Sequence, residues 1–421
     1  MTGAHRPRLL FISPQFLFPM DAGGKIRTAN LLKNMKGGAF RLLLALPAET
    51  GALARHEGVI AALADEIFPL PVMDVSKFAQ AICVAGPTPV SALAMARAAS
   101  RRAVAATIAA ASPDIVVFDY AQSYASAPRD LDLPSVIFAH NVEAEILRRH
   151  ALHAGGAKEF IWRREAKKMA RFERAAAQRT DGVIAVSQRD AVAFAAMGAA
   201  RAYAIPTGVD TDYFSYAPPP DDAAPVVVFT GSMDWRANVD GLYWFLNEVW
   251  PQIAAAHPTA QFIGVGKNPP AKLVRDARAR GVNWRFTGYV DDIREHARGA
   301  VFVIPLRIGG GARIKAFEAM ALGVPVVSTA IGVEGLCVDP GVHYQCADDA
   351  GEFARAVICL LENGERRRAL SVAARVLVET QFSHAVAARE FESHCLAVIG
   401  ATHPSKFRAP ERAEFCSRFK I

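Results

Sequence analysis

The feature that most constrains the fold is an alternation that occurs twice along the chain. In the first half, short apolar runs at Arg8–Ile12, 114–118, Ser135–Ala139 and 182–186 are each followed by turn residues and a segment of helical period. Wholly apolar runs suit strands covered on both faces, and intervening helices supply the crossovers that parallel strands need. The pattern stops over 210–224, where Pro218, Pro219, Pro220, Asp221 and Asp222 disfavour helix and strand alike. It resumes with strands expected at 225–230, 260–265, 283–287, 301–305 and 325–328, and helices near 239–249, 271–280 and 313–322. The reading is α/β, with doubly wound halves over 1–209 and 225–382 joined by a linker at 210–224; one large α/β domain with a Pro-rich excursion is the alternative. The length of 421 residues exceeds one ordinary core and suits two.

Composition excludes several classes. With 52% hydrophobic residues and no low-complexity tract, the chain is globular. Its longest apolar runs, 226–229 and 300–305, fall far short of the roughly 18 residues of a membrane-spanning helix. Pro14 and Pro19 cut the first apolar run, which reads as a buried strand and the chain as cytosolic. Cys83, Cys337, Cys346, Cys359, Cys395 and Cys416 lack the close pairs of zinc or redox sites. The net charge of +7 suits nucleic acid, anionic lipid or phosphorylated substrates, and no nucleic-acid reader motif accompanies it.

In such sheets ligands sit beyond the carboxyl ends of the strands. After the 301–305 strand come Gly309, Gly310 and Gly311, which permit close backbone approach, and then a helix whose first amides suit an anion. Lys315 and Glu318, three apart, share a face of that helix: a cation for phosphate, and a carboxylate one turn deeper for ribose hydroxyls. Glycines alone fit equally a turn before a surface helix with a Lys/Glu pair.

The longer run from Gly309 to Thr329, with Glu318-Ala319-Met320-Ala321-Leu322-Gly323-Val324-Pro325 at its centre, resembles the nucleotide-sugar signature of the family-4 retaining glycosyltransferases. Further matches follow in that family's order: Ala139-His140-Asn141-Val142-Glu143, Val186-Ser187, Ile205-Pro206-Thr207-Gly208-Val209-Asp210 with Phe214, Phe229-Thr230-Gly231-Ser232-Met233, and Phe286-Thr287-Gly288-Tyr289-Val290. The resemblance covers about residues 8–398. It implies a GT-B fold of two Rossmann-like domains facing a cleft, a final helix over 383–400 crossing back to the first domain, and a flexible tail over 401–421.

It also implies roles for particular residues. Gly231, Gly309, Gly310, Gly311, Val290 and Glu318 fall on donor-binding positions. Asp21-Ala22-Gly23-Gly24-Lys25-Ile26-Arg27 resembles the family's glycine loop near the donor phosphates and acceptor, with Gly23 and Gly24 for close approach and Lys25 or Arg27 adding charge. His140, which ends a strand, matches a histidine near the transferred sugar and is expected to face the cleft. Two departures shift weight. The first carboxylate of the family's Glu pair falls at Gly310, and the loop after the second domain's first strand has Ser232 and Asn238 near the places of the usual cations. Asn238 reads as the N-cap of the next helix. The diphosphate therefore falls to Arg313 and Lys315, with Arg236 and Arg307 as reserves.

The chemistry implied is sugar transfer with retention, without an identifiable carboxylate nucleophile and without a required metal or cofactor; Asp291-Asp292 reads as a turn. The partners implied are a nucleotide diphosphate sugar and a glycan or lipid-linked acceptor, and no nucleic acid. From Glu159 to Thr180 a helical pattern sets Arg163, Arg164, Lys167, Lys168, Arg171 and Arg174 beside Trp162, Met169 and Phe172. It is a solvated face packed on a sheet, or a basic surface resting on the inner face of the membrane. Rival functions are a sugar-nucleotide epimerase of the same fold and a non-catalytic nucleotide-sugar binder.

Overall fold

The computed structural model describes residues 6–220, 224–308 and 314–402. The chain divides into two compact units, Met1–Thr207 with Ala387–Ile421, and Gly208–Val386.

In the first unit seven parallel strands lie in the order β3-β2-β1-β4-β5-β6-β7: β1 (Arg8–Ile12), β2 (Arg41–Pro47), β3 (Glu66–Leu70), β4 (Ile115–Asp119), β5 (Ser135–Ala139), β6 (Gly182–Ala185) and β7 (Ala202–Ala204). The two-residue period of β1 sends Leu9 and Phe11 into one layer and Leu10 and Ile12 into the other, so both faces are dry. The helices used below are α1 (Gly23–Met35), α2 (Lys77–Ala85), α3 (Glu143–His153) and α4 (Ala157–Arg179).

In the second unit six parallel strands lie in the order β10-β9-β8-β11-β12-β13: β8 (Val226–Thr230), β9 (Gln261–Val265), β10 (Trp284–Gly288), β11 (Val301–Ile304), β12 (Val326–Ser328) and β13 (Gln345–Cys346). Its helices include α5 (Arg236–Trp244) and α6 (Ile314–Leu322). The helix expected over 239–249 is α5 followed by a π-helical turn, Phe245–Val249, before Pro251 enters the next helix; a residue without an N–H loosens the turn at the junction.

Residues 210–220, expected as a linker, pack within the second unit. Arg375 donates to the carbonyls of Thr211 (3.1 Å) and Phe214 (2.8 Å), and Arg367 to that of Pro220 (2.9 Å), so side chains of a neighbouring helix satisfy this irregular backbone. The final helix, α7 (His384–Thr402), starts in the second unit and from Ala387 belongs to the first, where Phe391, Cys395, Val398 and Ile399 pack on the Leu9 and Phe11 face. Its buried Glu392 accepts the Ala39 amide at 2.8 Å, close against Gly38. The tail beyond Thr402 lies outside the described residues.

Candidate active site

Each sheet reverses its strand order once, between β1 and β4 in the first unit and between β8 and β11 in the second. At such switch points neighbouring loops diverge and leave a crevice at the carboxyl ends of the strands. A polar cluster occupies each.

In the first unit Asp119, the last residue of β4, is fully buried. It accepts from Ser13 Oγ (3.1 Å) after β1, from Thr28 Oγ1 (3.1 Å) on α1 and from His140 Nε2 (2.7 Å) after β5. The three donors offset the cost of desolvating a carboxylate. The other imidazole nitrogen, Nδ1, lies 3.1 Å from Arg27 NH1. A guanidinium only donates, so Nδ1 accepts and the ring proton sits on Nε2, facing Asp119. His140, expected at the cleft, is 2% exposed. The end of β5 carries it inward, where Asp119 and Arg27 engage both nitrogens.

Tyr120 closes the cluster. Its ring stacks on His140 at 4.0 Å between centroids, its φ of +63° is one that side chains rarely adopt, and its hydroxyl accepts from Gln15 (3.3 Å). Burial pushes the phenol pKa up to about 12. A Cβ on Gly24 would fall 1.6 Å from the Tyr120 hydroxyl, whereas one on Gly23 would meet nothing within 4 Å. Gly24 is thus required by the protein's own packing. Lys25 turns away to Asp21 (2.9 Å) and the Pro19 carbonyl (3.3 Å), and Arg27 points inward. Glu143 and Glu145 lie in the first turn of α3, whose leading amides, at Glu143 and Ala144, are taken by the buried Glu173 carboxylate (2.7 and 3.2 Å).

In the second unit Lys315, on the first turn of α6, reaches the end of β8. Its Nζ donates to Thr230 O (3.2 Å) and Asn238 Oδ1 (3.2 Å) and lies 4.3 Å from the centroid of the Phe229 ring. Asn238 does not cap α5. The helix begins at Arg236 with Trp235 before it, and Asn238 sits buried inside, donating to Ser232 O (2.7 Å) while it accepts from Lys315. A side-chain amide can do both at once, which explains an Asn at a buried helix position. Gly231, at φ +141°, leaves room for this: a Cβ there would lie 3.0 Å from Asn238 Nδ2 and 3.4 Å from Lys315 Nζ. Ser232 donates to Asp234 (2.6 Å), as does Asn268 (2.7 Å), tying the loops after β8 and β9.

Glu318, one turn beyond Lys315, has no hydrogen-bond partner among the described residues. Burial pushes its carboxyl up to about 7, against the pull of Lys315. Val290 packs on the core after β10, while Tyr289 stands exposed. Arg307 pairs with Asp240 (2.9 Å), Arg236 is exposed, and Asp292 pairs with Arg294 (2.6 Å) in the expected turn. Gly309, Gly310, Gly311 and Arg313 lie outside the described residues. The structure therefore brings His140 and Arg27 together in one unit and Gly231, Lys315 and Glu318 in the other. Sequence reading missed Asp119 and Tyr120; the available signal was an acid directly after the apolar run of β4, at a strand's carboxyl end. Among the described residues no three His, Cys, Asp or Glu side chains gather as metal ligands, and no helix is long and apolar enough to cross a membrane.

Comparison with known proteins agrees with this division. The model described as Glycosyltransferase Family 4 matches residues 40–213, and that described as Glycosyl transferases group 1 matches 224–363. An uncharacterised 44.6 kDa protein in the cps region of Klebsiella pneumoniae is 28% identical over 144 residues, a match that spans 32% of this chain and 37% of that one. Anabaena HepE, solved with UDP and glucose, superposes with a TM-score of 0.59 at 16% identity, covering 92% of this chain and 99% of its own. Sucrose-phosphate synthase from Thermosynechococcus elongatus gives 0.60 at 17%, covering 94% and 100%. A glycosyltransferase from Rickettsia africae gives 0.60 at 13%, covering 94% and 99%. At these identities the structural likeness is one of fold. With a family-4 match over most of its first unit, a group 1 match in its second and this fold throughout, the chain is a glycosyltransferase of the GT-B type.

Proposed function

We propose that the protein transfers a sugar from a nucleotide diphosphate sugar to an acceptor hydroxyl with retention of configuration, in the assembly of a polysaccharide or lipid-linked glycan. The observation that carries this reading is the pair on α6 at the β8/β11 switch point. Lys315 is anchored at the end of β8, and Glu318 is a half-buried carboxylate without a hydrogen-bond partner among the described residues. Ribose hydroxyls are donors that would complete Glu318, and phosphate oxygens are acceptors for Lys315. HepE holds UDP in its crystals, which makes uridine diphosphate sugars the first donors to try.

In this reading the bond between the anomeric carbon and the phosphate oxygen breaks as the acceptor oxygen approaches on the same face, and the hydroxyl proton passes to the departing phosphate. Arg313, Lys315 and the amides of Gly309, Gly310 and Gly311 stabilise the charge that develops on the leaving group. Gly231 and Val290 belong to the donor side. The reading needs no metal or other cofactor. A thermal-shift screen with uridine and guanosine diphosphate sugars tests it, followed by donor-release assays with and without acceptor. The right donor raises the melting temperature, and Glu318→Ala or Lys315→Ala abolishes the rise. An unchanged shift in both variants removes the site, and a change in the sugar without acceptor indicates an epimerase.

We also place the protein in the cytoplasm, at the inner face of the membrane through α4. Arg164 and Lys168 turn inward to backbone carbonyls of α2, while Arg163, Lys167, Arg171 and Arg174 stay exposed, with Phe160 68% exposed at the same helix's start. Flotation with anionic liposomes at low salt tests this, and absence of binding ends it.

A further inference from the structure

The polar cluster of the first unit shows how its histidine works. Asp119 fixes the His140 tautomer with the proton on Nε2, and the acceptor this leaves, Nδ1, holds Arg27 NH1 at 3.1 Å. Tyr120 stacks on the ring and Thr28 braces Asp119, so the imidazole is held from several sides. A ring whose two nitrogens are engaged in this way has none left to exchange a proton with a substrate. What the arrangement does hold out is the guanidinium. Arg27 pairs with no carboxylate among the described residues, its Nε is buried without a hydrogen-bond partner, and it sits on the first turns of α1 beside the β1/β4 switch point. A half-buried guanidinium that makes no direct ion pair among the described residues, with Asp119 and Asp190 only at longer range, has hydrogen-bonding capacity for an anion at the ligand-binding edge of the sheet.

We propose that Asp119 and His140 are positioning residues whose task is to present Arg27, and that Arg27 is the first unit's contact with phosphate oxygens of a substrate. The proposal rests on the sugar-transfer reading, because it is there that phosphate enters. The phosphate belongs to the donor or to a phosphorylated acceptor, and the kinetics distinguish the two: the variants raise KM for whichever substrate Arg27 meets.

The test is a set of variants read with the nucleotide sugar that the thermal-shift screen selects. Arg27→Met lowers kcat/KM by about 100-fold, the scale of losing one charged donor, and Arg27→Lys recovers part of it. His140→Phe keeps a ring for Tyr120 but offers no acceptor, and falls as far as Arg27→Met. His140→Asn puts an amide oxygen near the place of Nδ1 and stays within about tenfold of the parent, the usual scale for a supporting partner. The double variant Arg27→Met/His140→Phe is no worse than either single, since the histidine acts through the arginine. Equal losses in His140→Asn and His140→Phe, or additive losses in the double variant, overturn the proposal and return His140 to direct contact with substrate. If no nucleotide sugar binds or reacts, the sugar-transfer reading fails, and a second measurement still judges this one. Nitrogen chemical shifts of the histidine side chains show Nδ1 unprotonated in the parent and perturbed in Arg27→Met; a proton on Nδ1 refutes the assignment whatever the reaction.

Discussion

The clusters at the two switch points are built from the same kinds of group but differ in how complete they are. Around Asp119 the carboxylate and both imidazole nitrogens have partners, Ser13, Thr28 and His140 on the carboxylate and Arg27 on the remaining nitrogen, and Arg27 Nε is left without one. Around Lys315 the cation is tied to Thr230 and Asn238, but the carboxylate one turn away is half-buried with no hydrogen bond among the described residues. A closed network fixes geometry, and an open one has capacity for a ligand. The first unit thus holds its groups in place ahead of substrate, while the second is set to gain most when a donor arrives.

The contrast is broken most forcefully by deleting each carboxylate. Asp119→Ala strands three buried donors and is expected to destabilise the protein by about 3 kcal/mol, measured by denaturant unfolding. Glu318→Gln is expected to do the reverse above neutral pH. The folded pKa of Glu318, about 7, lies above the ordinary 4.5, so the fold favours the protonated form. Its contribution to stability is whole below pH 4.5 and is lost as pH rises through 7, and the variant, which cannot ionise, is more stable than the parent at pH 8 by about 1 kcal/mol once solvent screening is allowed for. If Asp119→Ala is neutral, or Glu318→Gln is destabilising at pH 8, the distinction between a closed and an open cluster is lost.

Donor binding sharpens the same comparison. Hydroxyl donors select the ionised carboxylate, so binding expels a proton from Glu318 and affinity rises with pH. Between pH 6 and 8 the gain for a pKa near 7 is about tenfold, and calorimetry should find it absent in Glu318→Gln. An affinity that falls over this range contradicts the placing of the ribose.

Much of this architecture is legible from apolar runs alone. β1 and β5 have the bounds expected of them, because β-branched and aromatic residues fill both faces between turn signals. The edge strands were harder to see. β3, Glu-Ile-Phe-Pro-Leu, carries a proline that only an edge strand tolerates, and β7 and β13 are only three and two residues long. At the sites, family motifs point to Lys315, Glu318 and His140, which all lie at strand ends or on the first turns of helices beside them. What they lie against is set by tertiary packing. Asn238 looks like a cap because it follows a turn, yet its amide bridges Lys315 and Ser232 inside the helix. Asp119 belongs to no motif and shows its role only once β1, α1 and β5 bring Ser13, Thr28 and His140 around it.

The smallest expected effect separates packing from ligand approach in the glycine loop. Gly23 and Gly24 were paired as sites of close approach, but only Gly24 is crowded by the protein itself, with the Tyr120 hydroxyl 1.6 Å and Cζ 2.8 Å from where a Cβ would lie. Gly24→Ala should lower the melting temperature, and Tyr120→Phe should restore part of the loss, because the hydroxyl is the nearer atom and the ring carbon still crowds. Gly23→Ala meets open space and should change stability by no more than about 0.5 kcal/mol. A fall in kcat/KM with the fold intact then isolates a ligand that needs a bare backbone at Gly23. If Gly23→Ala is as active as the parent, no ligand comes that near, and the loop's glycines serve the Tyr120 contact alone.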